Sequence, residues 1–225
     1  GNVGSATAGA YSVSNSLRFN HASTDSLSRT AGGNSTLNTK ATFSTWIKRS
    51  TVVASKGGLF SSYVDANDRL YVTVNEDNLF VFGKIGGTTK YNIQFDRHFR
   101  DLSAWMHFVV SIDTTQGTAS DRVKAYINGQ QATATVTTSP DQNSAIPFAQ
   151  TSSYNILVGR LYATDLQQEL DGYLSEHVFI DGLALDQTSF GEFDEDSPLI
   201  WKPKDVSGLT FGDNGFYLEF KQSGT

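Results

Sequence analysis

Trp105-Met106-His107-Phe108-Val109-Val110-Ser111-Ile112, followed after a polar loop by Arg122-Val123-Lys124-Ala125-Tyr126-Ile127-Asn128-Gly129, decides the fold class of this chain. Met106, Phe108, Val110 and Ile112 alternate with Trp105, His107, Val109 and Ser111, so one side of an extended segment carries an unbroken apolar row. Asn128-Gly129 is the pair best suited to a type I′ turn, which needs positive φ at both central residues. A two-residue turn there predicts Ala125 opposite Ala132 and Val123 opposite Ala134 on one face. It sets Lys124 opposite Thr133 and Arg122 opposite Thr135 on the other, a register that sorts apolar from polar.

The same pattern extends in both directions. Leu17 and Phe19 flank Arg18 in a short strand, and Leu27 starts another. In Thr42 to Lys48, Phe43 and Ile47 point one way and Trp46 the other, as for an interior strand of a layered sheet. A meander follows, with strands Leu59–Val64, Arg69–Val74, Leu79–Phe82 and Tyr91–Phe95 separated by acidic or glycine turns. Tyr154 to Val158, Tyr173 to Ile180 and Phe216 to Phe220 complete the set. Asp186 is placed to cap a single helical turn ending at Phe190. About a dozen strands without a long amphipathic helix predict an all-β fold of two packed antiparallel sheets. Trp46 and Trp105 are expected in its core. The small, polar residues 1–15 read as a flexible or edge lead-in to one domain over 16–225, a module of a longer chain.

Composition narrows function. Charged residues make up 18% of 225 positions, below the roughly 25% typical of soluble domains, so the surface relies on Ser, Thr, Asn and Gln. The net charge is −6 and the longest basic run is Lys48-Arg49, which argues against nucleic acid and anionic membranes as partners. The absence of cysteine rules out disulfides and thiolate metal sites. No apolar run approaches the length of a membrane span. His21, His98, His107 and His177 show no metal-ligand spacing.

Three segments, taken together, resemble the laminin G-like branch of the concanavalin A-like lectin and glucanase fold. They are Trp105–Asp113 with Val123–Gly129, Asp171–Glu176 with Ala184-Leu185-Asp186, and Phe43–Ile47. The resemblance implies a two-sheet jelly-roll sandwich whose first and last strands, near Leu17 and Leu218, lie side by side in one sheet. It also implies glycan or protein contacts through rim loops or across a concave face. Ser16–Asn20, Phe179–Gly182, Ser189–Phe193, Trp201–Lys204 and Asn214–Leu218 are similar to a version of this domain found in bacteriophage tail-fibre and spike proteins. That narrower likeness implies a module on the virion surface, homo-oligomeric through its parent protein, with a host-surface glycan or a neighbouring virion protein as partner.

Candidate sites follow from these implications. Such domains commonly take calcium through oxygen ligands on adjoining loops, and Asp65, Asn67 and Asp68 cluster suitably, as do Asp113 and Asp121 around another loop. Asp and Asn also favour turns for their own backbone reasons. Sugar recognition pairs an aromatic plate with polar acceptors. Tyr63 beside Asp65 and Asn67, or Tyr162 beside Asp165 and Gln167, supplies that pairing. Glucanases of this fold use paired carboxylates on one strand. Glu192, Asp194 and Asp196 come nearest, but Asp stands where the family has Glu and the surroundings read as a solvated loop. The leading expectation is a non-enzymatic binding module; the alternatives are a structural domain contacting other virion proteins and a glycan depolymerase using Glu192 and Asp194.

Overall fold

Alternation along the chain is realised as two stacked antiparallel sheets. The computed structural model describes residues 11–23, 25–33, 35, 37–51, 56–148, 153–162 and 168–222. Its strands are β1 (Leu17–Phe19), β2 (Leu27–Thr30), β3 (Lys40–Arg49), β4 (Lys56–Tyr63), β5 (Arg69–Asn75), β6 (Asn78–Ile85), β7 (Thr88–His98), β8 (Met106–Asp113) and β9 (Val123–Ile127). They continue with β10 (Gln130–Gln131), β11 (Ala134–Thr138), β12 (Asn155–Val158), β13 (Arg160–Leu161), β14 (Gln168–Glu169), β15 (Gly172–Asp181), β16 (Gly191–Phe193), β17 (Trp201–Pro203) and β18 (Phe216–Leu218). The first sheet runs β1-β15-β3-β8-β9-β10, with β18 also on β15, and the second runs β11-β7-β6-β5-β4-β12-β2. β13-β14 and β16-β17 form small ribbons.

The core lies where the inward rows meet. Phe43 and Ile47 of β3, and Phe108 and Val110 of β8, face Phe60, Val72, Val81 and Ile93 of the second sheet, all buried. Phe60 joins the layers, with ring centroids 5.6 Å from Phe43 and 4.9 Å from Phe179. β3 is an interior strand of its sheet, between β15 and β8. Asp186 caps the one-turn helix Gln187–Ser189, accepting from the Thr188 N–H at 2.9 Å.

The Asn128-Gly129 turn forms with φ of 48° and 79°. Ile127 pairs with Gln130, Tyr126 with Gln131, and the Ala132 N–H donates to the Ala125 carbonyl at 2.9 Å. Beyond Ala132 the expected register fails. The chain crosses to the other sheet, where β11 pairs Ala134 with Phe95 and Val136 with Ile93 on β7. Val123–Ala134 and Arg122–Thr135 therefore never pair. The cause is that alternation fixes which side chains share a face, and the long free edge of β7 satisfies that condition as well as β9 does. β1 and β18 do share one sheet, but they lie end to end along the same edge of β15 instead of side by side: Leu17 is opposite Leu174, and Leu218 is opposite His177.

A second apolar cluster covers part of the outer face of the first sheet. Val109, Val178 and Ile180 pack there against Phe190 and Val206. Residues 11–15, expected as lead-in, lie on the same face: the Ser175 hydroxyl donates to the Asn15 carbonyl at 2.5 Å, and the Tyr11 hydroxyl donates to Glu176 at 2.8 Å.

Candidate functional site

The Asp65–Asp68 loop is a β4–β5 turn held by its own acids. Asp65 Oδ1 accepts the N–H groups of Asn67 and Asp68 at 2.7 and 3.1 Å. Asp68 Oδ1 accepts from the Gly86 N–H at 2.9 Å, tying this turn to the next one. Asp113 is similarly engaged, accepting from Thr115 and Gln116, and Asp121 faces Lys124 at 3.1 Å. These oxygens are committed to the backbone and to polar neighbours. Among the described residues, no three His, Cys, Asp or Glu side chains converge as a metal cage.

Tyr63 and Tyr162, candidates from distant parts of the sequence, are brought together. Their rings stack with centroids 3.8 Å apart and planes 7° from parallel. Tyr63 ends β4 and Tyr162 follows β13, and the Tyr162 N–H donates to Ser61 Oγ at 3.2 Å while the Tyr71 hydroxyl donates to the Tyr162 carbonyl. Burial raises the pKa of Tyr63 and pushes that of Tyr71 up to about 12, so both phenols stay protonated donors at neutral pH. Asp165 and Gln167 lie outside the described residues.

A different pair builds a groove. Trp46 and Trp105 are not core residues: Trp46 is partly exposed and Trp105 is 39% exposed. Their neighbours Ile47 and Met106 take the inward positions of β3 and β8, so period 2 turns both indoles to the outer face of the first sheet. The second apolar cluster leaves that end of the face open. There a groove of about 320 Å³ runs between Trp46, Trp105 and Pro203 on one side and Ser14, Asn15 and Ser175 on the other.

Both walls are braced from behind. Trp46 stacks on His107, centroids 4.9 Å apart. The Trp201 indole N–H donates to His107 Nδ1 at 3.0 Å, so Nε2 carries the proton and donates to Ser44 Oγ at 2.8 Å. Burial lowers the pKa of His107 to about 3, keeping it neutral. The opposite wall hangs from β15, where a bulge between Ser175 and Val178 leaves Glu176 at φ 47°. Its carboxylate accepts from the hydroxyls of Tyr11 and Tyr217, which are 3.0 Å from each other. No short-range pattern links Tyr11, Glu176 and Tyr217; only the outward alternation of Trp46 and Trp105 was available to signal this groove.

Glu192 and Asp194, the depolymerase candidates, share one cation. Lys202 lies 3.5 Å from the first and 3.4 Å from the second, and Asp194 Oδ1 caps a turn through the N–H groups of Asp196 and Ser197. The Ser197 N–H, and after it Lys202, hold the Asp194 carboxyl below its ordinary range, the wrong direction for a general acid.

The family model described as concanavalin A-like lectin/glucanases superfamily, within the laminin G group, matches residues 15–187. A search of curated proteins returns no match. Among solved structures, a Bacteroides ovatus protein described as carbohydrate binding superposes with a TM-score of 0.56 at 13% identity, covering 92% of this chain and 52% of that one. Domains LG4-5 of the mouse laminin alpha1 chain superpose with a TM-score of 0.54 at 12% identity, covering 95% of this chain and 50% of that one. The chain thus spans about half the length of each, and at these identities the likeness is one of fold.

Proposed function

The chain belongs to the concanavalin A-like lectin/glucanase superfamily, and on that premise we propose that it is a non-enzymatic carbohydrate-binding module. The observation that carries this reading is the Trp46–Trp105 groove. Sugar rings have apolar faces that stack on indoles and hydroxyl edges that need hydrogen-bond partners. The groove offers both, with Trp105 open to solvent and Ser14, Asn15 and Ser175 opposite. The Tyr63–Tyr162 stack on the second sheet is a separate aromatic platform beside Asp65 and Asn67, and it is the alternative site for the same ligand class.

In the finer form of the proposal, the parent protein is a bacteriophage virion appendage at the virion surface and the glycan belongs to the host. The support is the likeness of Ser16–Asn20, Phe179–Gly182 and Asn214–Leu218 to such proteins. Binding of the purified chain to a panel of bacterial surface glycans tests the reading and separates the two sites. Trp105→Ala should weaken binding about 30-fold, roughly 2 kcal/mol, with the melting temperature unchanged, while Tyr63→Ala leaves affinity within a factor of two. The reverse pattern moves the site to the second sheet. Saturable binding with no release of reducing ends separates a module from a depolymerase.

A further inference from the structure

The row of side chains next to the groove adds charge to the carbohydrate reading. On the outer face of the first sheet, Arg18 is opposite Tyr173 and Tyr173 is opposite Lys48. Ile47 is opposite Met106, the first residue of β8, and Trp105 precedes it, so continuing the register one residue beyond the strand sets Trp105 beside Lys48. The order across the sheet is therefore Arg18, Tyr173, Lys48, Trp105. The row behind it holds Ser175 and Trp46, which line the groove, and His107, which supports Trp46 from within. Neighbouring strands lie about 4.8 Å apart, so Lys48 is about one strand spacing from Trp105 and Arg18 about three, a span for one or two sugar rings with a charged substituent.

The two cations are free to take a ligand. Arg18 is exposed, with its guanidinium carbon 5.8 Å from the Tyr173 ring centroid, and Lys48 is partly exposed. Among the described residues, neither has a carboxylate within ion-pair distance. Asp171 lies on the same face one row beyond Tyr173, its carbonyl accepting from the Ser50 N–H at 2.9 Å, and two further acids nearby are engaged elsewhere. Asp101 accepts from the N–H and hydroxyl of Ser103 at 2.8 and 2.6 Å; the Ser103 hydroxyl first, and the Lys48 charge last, hold its carboxyl below the ordinary range. Asp25 shares a surface depression with Arg18 and accepts from the Asn20 N–H at 3.1 Å. Two unpaired cations around a tyrosine, on a chain of net charge −6, are complementary to an anion.

We infer that the groove takes an acidic glycan, whose sugar stacks on Trp105 while its carboxylate or sulfate lies between Lys48 and Arg18. This rests on the carbohydrate-binding reading and names the ligand class of the same site. Calorimetric titration with three matched oligosaccharides tests it: a hexuronate oligomer, its carboxyl-reduced neutral form, and a sulfated form of that neutral oligomer. At low salt at least one acidic form should bind about tenfold or more tightly than the neutral one, and the advantage should shrink at high salt. Whichever acidic arm shows the advantage identifies the anion. Lys48→Gln and Arg18→Gln should each cut that advantage about threefold or more and lower the affinity for the acidic form more than that for the neutral one; Lys48→Glu should reverse the preference. Equal binding of neutral and acidic forms, or a preference that survives both glutamine variants, overturns the inference. If Trp105→Ala still weakens all three in that case, the carbohydrate reading stands alone. Failure of all three to bind overturns both.

Discussion

His177 is wholly buried between the rings of Phe43 and Phe216, at 5.1 and 6.1 Å, with Nδ1 3.2 Å from Thr45 Oγ1. Burial lowers its pKa from 6.5 to about 3. Below pH 6.5 the unfolded chain binds a proton that the folded chain refuses until about pH 3, so this residue makes stability fall as pH drops through that window, by about 1.4 kcal/mol per unit. His177→Leu should flatten the pH dependence by that amount between pH 6 and 4, measured by denaturant unfolding across the range; an unchanged slope would show that the imidazole is already protonated in the fold. Gly129 carries a different constraint. Positive φ suits glycine there, but the structure adds that a Cβ would lie 2.3 Å from the Trp201 ring. Gly129→Ala should cost about 2 kcal/mol or more and shift indole fluorescence as Trp201 leaves His107. Its turn role was legible from Asn128-Gly129, whereas Trp201, over seventy residues away, was not.

At the level of elements, the β15 bulge connects core to groove. Accepting one extra residue between Ser175 and Val178 places Ser175 and Glu176 together on the outer side, where they hold Asn15 and Tyr11. The segment carrying Ser14 and Asn15 is thus a groove wall held through the Asn15 carbonyl and the Tyr11 hydroxyl. Tyr11→Phe removes one of them and should speed amide exchange over residues 13–16 and weaken glycan binding several-fold, with a stability loss of about 1 kcal/mol. Exchange as slow as in the unsubstituted chain would assign the wall to other contacts. The bulge was hidden because Tyr173 to Ile180 reads as one continuous strand, and a one-residue insertion is resolved only by what each neighbouring strand pairs with.

For the whole molecule, the matched family region ends at residue 187, yet the fold continues through β18. The later residues supply Phe190 and Val206 to the second cluster, Phe216 and Leu218 to the main core, and Trp201 to the groove support. A chain ending at Gln187 would bare Val109, Val178 and Ile180, each worth about 1.5–3 kcal/mol when buried. Such a chain should lose cooperative unfolding or precipitate, read by calorimetry and light scattering; a sharp transition near that of the full chain would make the C-terminal segment an appendage.

The sequence by itself determined the architecture class, the Asn128-Gly129 reversal, the Asp186 cap and the inward rows of β1, β3 and β8. These are properties of neighbours along the chain: side-chain period, turn dihedrals and local capping. Tertiary structure alone decided that β11 joins β7, that Tyr63 meets Tyr162, and that Trp46 and Trp105 line a groove instead of the core. Each of those outcomes depends on which of two equally patterned surfaces an element meets. Period 2 assigns residues to faces, but only packing decides which face is covered and which is left for a ligand.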